Sequence, residues 1–178
     1  MTIFLSILRG INVSGHKQIK MTDLKILYEN LGFKNITTYI QSGNVIFENA
    51  TAKGISERIE KNIEAKYGFN VPIIIRSIDE MKEVINRNPF LKEKNIELEK
   101  LHITYLEKDP MQENLDKLKD LNYDPDRFYI SGKEIYLYCP NGYGNTKLNN
   151  TFFENKLKVK ATTRNWKTTN EIFKIMKS

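Results

Sequence analysis

The order in which strand-like and helix-like segments alternate is the feature that most constrains the fold of this chain. Short apolar runs of strand length alternate with stretches in which apolar residues recur at helical spacing. The first part of the chain reads strand, helix, strand, strand, helix, strand, which is the order of the split βαβ, or ferredoxin-like, fold. The predicted elements are a strand at Ile3–Leu8, a helix capped by Thr22, a hairpin at Thr38–Glu48, a helix at about Lys53–Tyr67 and a strand at Val71–Arg76.

The same order recurs after residue 100, although the two halves share no marked sequence identity. A last helix follows, with Trp166, Ile172, Phe173 and Met176 along one face. The pattern therefore predicts a second split βαβ half followed by an extra C-terminal helix. Its predicted elements are a strand at Leu101–Leu106, a helix started by Asp109-Pro110, strands at Arg127–Ile130 and Glu134–Cys139, a helix from Thr146 to about Leu157 and a short segment at Lys160–Thr163.

A helix and a charged stretch separate the two repeats. Ser77 and Glu80 have the spacing of a capping box, and the helix that they open is expected to stop before Asn88-Pro89. We therefore predict an α+β protein made of two ferredoxin-like (split βαβ) halves packed together. The expected domains are residues 1–78, a connection at residues 79–100, and residues 101–178 with the C-terminal helix.

Composition narrows the class of protein. The chain has 178 residues, 40% of them hydrophobic, and its apolar runs are far shorter than the ~20 residues that a membrane span needs. We expect a cytoplasmic protein without a membrane partner, because no signal-peptide pattern opens the sequence. The single Cys139 excludes an internal disulfide, and with only His16 and His102 the chain lacks the clustered ligands of a zinc site. We therefore predict no metal site, and the sequence identifies no cofactor and no oligomeric state.

Charge is distributed unevenly around a net value of +6. Residues 1–78 carry 10 basic and 6 acidic side chains, residues 79–139 carry 10 and 14, and residues 140–178 carry 8 and 2. Basic ends can attract an anionic partner, but solvated helix faces with surplus lysine give the same pattern. Both interpretations stay open from the sequence.

The hairpin at Thr38–Glu48 contains more polar side chains than a turn needs. Gln41, Ser42 and Asn44 crowd the expected turn around Gly43 with three groups that can form hydrogen bonds. Either these side chains satisfy one another or they contact a ligand. They are therefore candidate ligand-binding residues.

The loop after the first strand is a second candidate. Arg9 and Asn12 lie in or beside a glycine-containing segment that leads toward a helix, and such loops offer backbone N–H groups to anions. The spacing Gly10-x-x-x-x-Gly15-His16-Lys17 resembles a phosphate loop only weakly, since the helix is expected at Thr22. An ordinary structural loop and an anion site both fit.

Two segments near the C-terminus supply the remaining candidates. Lys147, expected in the first turn of a helix, would oppose the helix dipole unless an anion lay nearby; a solvated lysine is the alternative. Arg164 and Asn165 precede the last helix and could contact a carboxylate, a phosphate or a base, or Arg164 could pair with an acidic side chain. Trp166 is expected to anchor the core.

No catalytic group emerges from the sequence. His102 alternates with apolar residues of a strand and is expected to pack, and Cys139 is expected to be an inert, buried thiol. The sequence leaves open whether the chain is an enzyme.

Five motifs stand out when the chain is read as a whole: Arg9-Gly10-Ile11-Asn12-Val13, Lys20-Met21, Thr38–Val45, Asn88-Pro89-Phe90 and Ala161–Trp166. Together they resemble the bacterial family known as domain of unknown function 1697. The resemblance runs along nearly the whole chain, and it implies a two-subdomain α+β fold with ferredoxin-like halves but no known activity. Family members commonly have a glycine where this chain has Ser14.

Three functions follow as hypotheses. The first is binding, or turnover, of an anionic small molecule such as a nucleotide in a cleft between the halves. The second is binding of single-stranded nucleic acid, which would need exposed aromatics such as Phe4 and Phe47, although burial of both is favoured. The third is a structural or protein-interaction role in which the polar cluster braces the hairpin. The candidate ligand-binding residues are Arg9, Asn12, Gln41, Ser42, Asn44, Lys147, Arg164 and Asn165.

Overall fold

A computed structural model describes all 178 residues and contains two four-stranded antiparallel sheets with helices. The chain divides into two compact units, one formed by residues 1–82 with 172–178 and the other by residues 83–171. No helix is both long and apolar enough to cross a membrane.

The first unit contains one sheet with the strand order β2-β3-β1-β4. Helices α1 and α2 pack on one face of this sheet, over a core that includes apolar side chains of β1, β3 and β4. Its elements are β1 (Thr2–Leu8), α1 (Met21–Asn30), β2 (Lys34–Tyr39), β3 (Asn44–Asn49), α2 (Ile55–Tyr67) and β4 (Ile73–Ser77), followed by α3 (Ile78–Asn86).

The second unit repeats this order, with the sheet arranged β6-β7-β5-β8. In both sheets the first strand is central and the second lies at an edge, so the predicted α+β fold with two similar split βαβ halves and a C-terminal helix is confirmed. Its elements are β5 (Leu101–Leu106), α4 (Gln112–Asp116), β6 (Arg127–Ser131), β7 (Glu134–Tyr138), α5 (Asn150–Leu157) and β8 (Ala161–Asn165), followed by α6 (Trp166–Lys177).

The predicted capping box opens α3. The backbone N–H of Ser77 donates to Glu80 Oε2 at 2.8 Å, and the N–H of Glu80 donates to Ser77 Oγ at 3.2 Å. The helix ends at Asn86, before Asn88. Each partner satisfies one backbone donor of the other, which fixes where the helix begins.

Three helix starts differ from the sequence prediction. The α1 helix begins at Met21 after Lys20, rather than being capped by Thr22. The α5 helix begins at Asn150, where Asn149 Oδ1 accepts from the N–H of Phe152 at 2.9 Å. Thr146 instead donates through Oγ1 to Asp126 Oδ2 at 2.7 Å, a partner 20 residues away that sequence spacing cannot reveal. The α4 helix begins at Gln112 rather than at Asp109-Pro110, and it has only five residues.

Aromatic rings fill the helix-covered face of the first sheet. The ring centroid of Phe47 lies 4.5 Å from that of Phe33 and 5.5 Å from that of Tyr28. The ring of Phe4 packs against Phe47 with centroids 6.0 Å apart. Phe4 is 4% exposed and Phe47 is fully buried, as the sequence favoured. Neither ring is available to stack on a base.

An arginine is buried at the same position in each half. Arg76 in β4 is paired with Leu5 of β1, and Arg164 in β8 is paired with Ile103 of β5. Both donate through Nη1 to the carbonyl of the residue before them, at 3.0 Å in each case. The two halves therefore share one buried arginine per sheet as well as the order of their elements. Burial lowers the pKa of Arg164 to about 10.

Candidate functional site

A cavity of about 500 Å³ lies in the first unit where the loop after β1 meets the β2–β3 turn. We call it the hairpin pocket. It is bounded by two of the segments that the sequence singled out, together with the start of α1 and the end of α2. Its lining residues are Asn12, Gln18, Ile19, Lys20, Asp23, Gln41 and Tyr67.

Asn12 holds the two segments of the hairpin pocket together. Its Nδ2 donates to the carbonyl oxygens of Gln41 at 2.7 Å and Ile19 at 3.0 Å, while its Oδ1 accepts from the N–H of Ile19 at 2.8 Å. Both amide hydrogens and the amide oxygen are thereby engaged. Asn12 also has φ +56°, a left-handed conformation that asparagine tolerates better than most residues. Its observed contacts brace the pocket from within the protein.

The polar side chains of the hairpin differ in burial: Asn44 is buried and bonded to Ser42, whereas Gln41 is exposed. Asn44 is fully buried and donates through Nδ2 to the carbonyl of Tyr39 at 2.9 Å and to Ser42 Oγ at 3.3 Å. The turn occupies Ile40–Gly43, with Gln41 exposed. In the structure Ser42 and Asn44 therefore contact each other, and Gln41 is exposed and lines the pocket. Whether these residues also contact a ligand stays a prediction.

The chemistry of the hairpin pocket comes from side chains whose hydrogen-bonding groups are not used within the protein. Gln18, Lys20 and Gln41 are exposed and form no side-chain hydrogen bond. The α1 helix begins here with no side-chain cap, so its first-turn N–H groups add further donors and a partial positive charge. Asp23, in that first turn, supplies one carboxylate. The pocket therefore combines one cation, neutral amides, a helix N-terminus and one acceptor.

Sequence reasoning did not identify Gln18, Lys20, Asp23 and Tyr67 as part of this pocket. Placing the helix start at Thr22 put Lys20 in the preceding loop and gave it no role. Tyr67 ends α2, far along the chain, and its buried hydroxyl has no hydrogen-bond partner. The Lys20-Met21 pair did appear among the family motifs, which was the available signal.

The remaining predicted residues have other surroundings. Arg9 is half-buried after β1, and its backbone N–H donates to the carbonyl of Pro72 at 3.1 Å. Lys147 is exposed and precedes α5, so the argument from an unfavourable charge in a helical first turn was wrong. In the second unit Arg164 is buried, and Asn165 Oδ1 accepts from the N–H of Thr168 at 2.7 Å, which caps α6.

Packing surrounds both the cysteine and the histidine of the second unit. Burial raises the pKa of the Cys139 thiol to about 11, so the thiol stays protonated and weakly nucleophilic at neutral pH. His102 stacks on Tyr143 with ring centroids 4.8 Å apart. No group of three or more His, Cys, Asp or Glu side chains comes together as metal ligands would.

We expect His102 to make stability depend on pH. Burial lowers its pKa below the ordinary 6.5, so the folded state favours the neutral ring. The unfolded chain then binds the proton more readily, and the contribution to stability is present above about pH 6.5 and is lost as pH falls through the lowered pKa. Urea denaturation at about pH 7.5 and about pH 5 should show a smaller loss in His102→Phe than in the wild type.

Equal losses in His102→Phe and the wild type would contradict the assignment.

Comparisons with known proteins agree with this architecture and supply no activity. The family model described as "Protein of unknown function (DUF1697)" matches residues 1–136. A solved structure of the conserved bacterial protein SP0830 from Streptococcus pneumoniae is similar, with a TM-score of 0.79 and 22% identity over 100% of this chain and 99% of that one. A comparison with curated proteins found no match.

Proposed function

We propose that this chain, which belongs to the family of proteins of unknown function DUF1697, binds an anionic small molecule such as a nucleotide, or turns one over. The observation that carries the proposal is the hairpin pocket, which is lined by Lys20 and Asp23 beside the N-terminus of α1, where the helix has no side-chain cap. Ligand pockets are commonly clefts of about 300–1,000 Å³ with a few convergent polar groups. The cavity of about 500 Å³ falls within that range.

The mixture of groups favours a nucleotide over a bare phosphate. Lys20 and the first-turn N–H groups of α1 suit a phosphate, because an ammonium and a helix N-terminus both attract anions. Asp23 would repel that phosphate at close range, but a carboxylate is a good acceptor for ribose hydroxyls. Gln18 and Gln41 carry amides that can donate to and accept from a base. A cleft between the halves, expected from the sequence, stays a prediction.

The structural hypothesis also has support, restricted to particular residues. Asn12 and Asn44 direct their amides to backbone carbonyls within the first unit. They therefore brace the hairpin whether or not a ligand binds beside it. The hypothesis of single-stranded nucleic-acid binding is supported only by the basic chain ends. The aromatic rings that it would need, Phe4 and Phe47, are buried.

Isothermal titration calorimetry with AMP at low salt tests the proposal. Lys20→Gln should weaken binding by about tenfold or more, because a hydrogen bond to a charged group is worth about 1.5–3 kcal/mol. Gln41→Ala should weaken binding less, since it removes neutral contacts only.

Lys25→Gln is the matched control for this titration. Lys25 is an exposed lysine of α1, five residues after Lys20, that does not line the pocket, and its loss changes net charge by the same amount. Equal weakening in the two lysine variants would mean that only overall charge matters. That result, or no heat of binding at millimolar AMP, would reject the hairpin pocket as the site.

A cytoplasmic location in a bacterium is part of the same proposal. The bacterial structural neighbour and the single buried Cys139, which forms no disulfide, support it.

A further inference from the structure

A second and larger cavity, of about 560 Å³, runs beside the edge strand β6 in the second unit. We call it the edge-strand cavity. It extends from the loop after β5, past α4 and the turns that follow, to the β6–β7 turn. Its lining residues are Asp109, Pro110, Leu115, Leu118, Lys119, Leu121, Asn122, Tyr123, Asp124, Asp126, Arg127, Phe128, Tyr129, Ile130 and Gly132.

The edge-strand cavity lies next to α4, a helix that is shorter than its counterpart in the first half. In the first unit the ten-residue α1 covers the sheet, and Tyr28 on that helix packs against Phe33 and Phe47. In the second unit the corresponding helix α4 has only five residues and is followed by turns. The shorter helix leaves apolar surface next to β6 that its counterpart would cover.

The walls of the edge-strand cavity are apolar. Leu118 is buried, whereas Leu115, Leu121, Phe128 and Ile130 are only half-buried at the border of the second core. Apolar side chains of this kind gain free energy when a ligand removes them from water. The cavity can therefore accept an apolar ligand body without rearrangement of the core.

The unneutralised charge around the edge-strand cavity is negative. Its two cations each pair with an acid outside the lining, Lys119 with Asp116 and Arg127 with Glu93, both at 2.8 Å. The three lining carboxylates, by contrast, form no ion pair. They are Asp109, Asp124 and Asp126.

Asp126 adds an observation that points to a donor. Its Oδ2 accepts the hydroxyl hydrogen of Thr146 at 2.7 Å, whereas its Oδ1 is buried and has no hydrogen-bond partner. A buried carboxylate oxygen without a donor is costly. Because Asp126 lines the cavity, a turn of its side chain that brings Oδ1 to a ligand N–H would offset that cost.

We propose that the edge-strand cavity binds a small organic cation, namely a primary amine that carries an aromatic or branched apolar body. The apolar body lies against Leu118, Leu121 and Phe128, and the ammonium lies toward Asp126 and the acidic mouth. This site goes beyond the proposed function, because it is in the second unit and selects the opposite charge.

Titration of the full-length chain with phenethylamine, followed by ¹H–¹⁵N NMR, tests the proposal. Saturable shifts are expected in the amides of residues 115–123 and 127–130. Phenethyl alcohol, which has the same apolar body without the charge, should bind about tenfold more weakly, because a charged hydrogen bond and an ion pair are lost.

Two variants make this test specific. Asp126→Asn should reduce the preference for the amine over the alcohol, while Glu113→Gln, which removes an exposed acid of α4 that lies outside the lining and pairs with neither lining cation, should leave it intact. If Asp126→Asn does not fold, Asp124→Asn at the exposed mouth replaces it, with the same expected loss of preference.

Three results would overturn the proposal. They are equal affinities for the amine and the alcohol, shifts that fall outside the lining residues, and an unchanged preference in the folded lining variant. Binding of an uncharged extended peptide along β6, with no binding of the amine, would instead assign the cavity to strand addition.

Discussion

Replacing Phe47 by alanine should lower the free energy of unfolding by about 3–5 kcal/mol, the usual cost of truncating a fully buried aromatic ring. Phe47 is fully buried and lies among the rings of Phe4, Tyr28 and Phe33. The variant loses the transfer free energy of the ring and leaves a cavity that these rigid neighbours cannot close. Urea denaturation monitored by circular dichroism measures the difference.

Phe47→Leu is the matched variant for this measurement. It keeps an apolar side chain at the centre of the cluster and should cost clearly less, about 1–2 kcal/mol, since only part of the volume is lost. A loss below about 1 kcal/mol for Phe47→Ala would contradict the assignment of this ring to the core.

The second large effect is expected from Gly43→Ala, which should cost about 2–4 kcal/mol through backbone strain and overpacking together. Gly43 has φ +93°, and an added Cβ would lie 2.7 Å from Ile11 Cδ1 and 2.9 Å from Leu8 Cβ. The Gly43 carbonyl also accepts from the N–H of Leu8 at 2.9 Å, so the turn cannot move away without losing that bond. Thermal and urea denaturation give the change in stability.

Gly10→Ala separates the two causes. Gly10 has φ +73°, but a Cβ there meets no atom within 4 Å. The free energy of unfolding of this variant should therefore fall by only about 1–2 kcal/mol, the cost of a left-handed backbone conformation at a residue with a Cβ. Equal destabilisation at both glycines would show that close packing under the hairpin turn contributes nothing.

Local signals in the sequence predicted most of the fold. The capping box of Ser77 and Glu80, the hairpin around Gly43 and the two rounds of split βαβ order depend on neighbouring residues, and each appears in the structure. Helix starts that depend on distant partners were placed wrongly. Thr146, for example, donates to Asp126, a contact that competes with capping a helix.

The candidate sites could be predicted only in part, because they depend on pairings across the chain. The sequence left open whether Asn12 lies in a structural loop or at an anion site; in the structure its amide bridges Ile19 and Gln41, 7 and 29 residues away. The matching positions of Arg76 and Arg164 were equally hidden, since the halves share element order without evident sequence identity. The edge-strand cavity required knowing that α4 stops after five residues.

Titration of ¹⁵N-labelled protein with AMP and with adenosine is the most direct test of the central claim that the hairpin pocket binds an anionic small molecule. AMP should shift the amides of Gln18, Lys20, Asp23 and Gln41 saturably, and adenosine should do so about tenfold more weakly, because it lacks the phosphate that Lys20 and the start of α1 attract. Equal affinities for the two, or no shift in these amides, would contradict the claim.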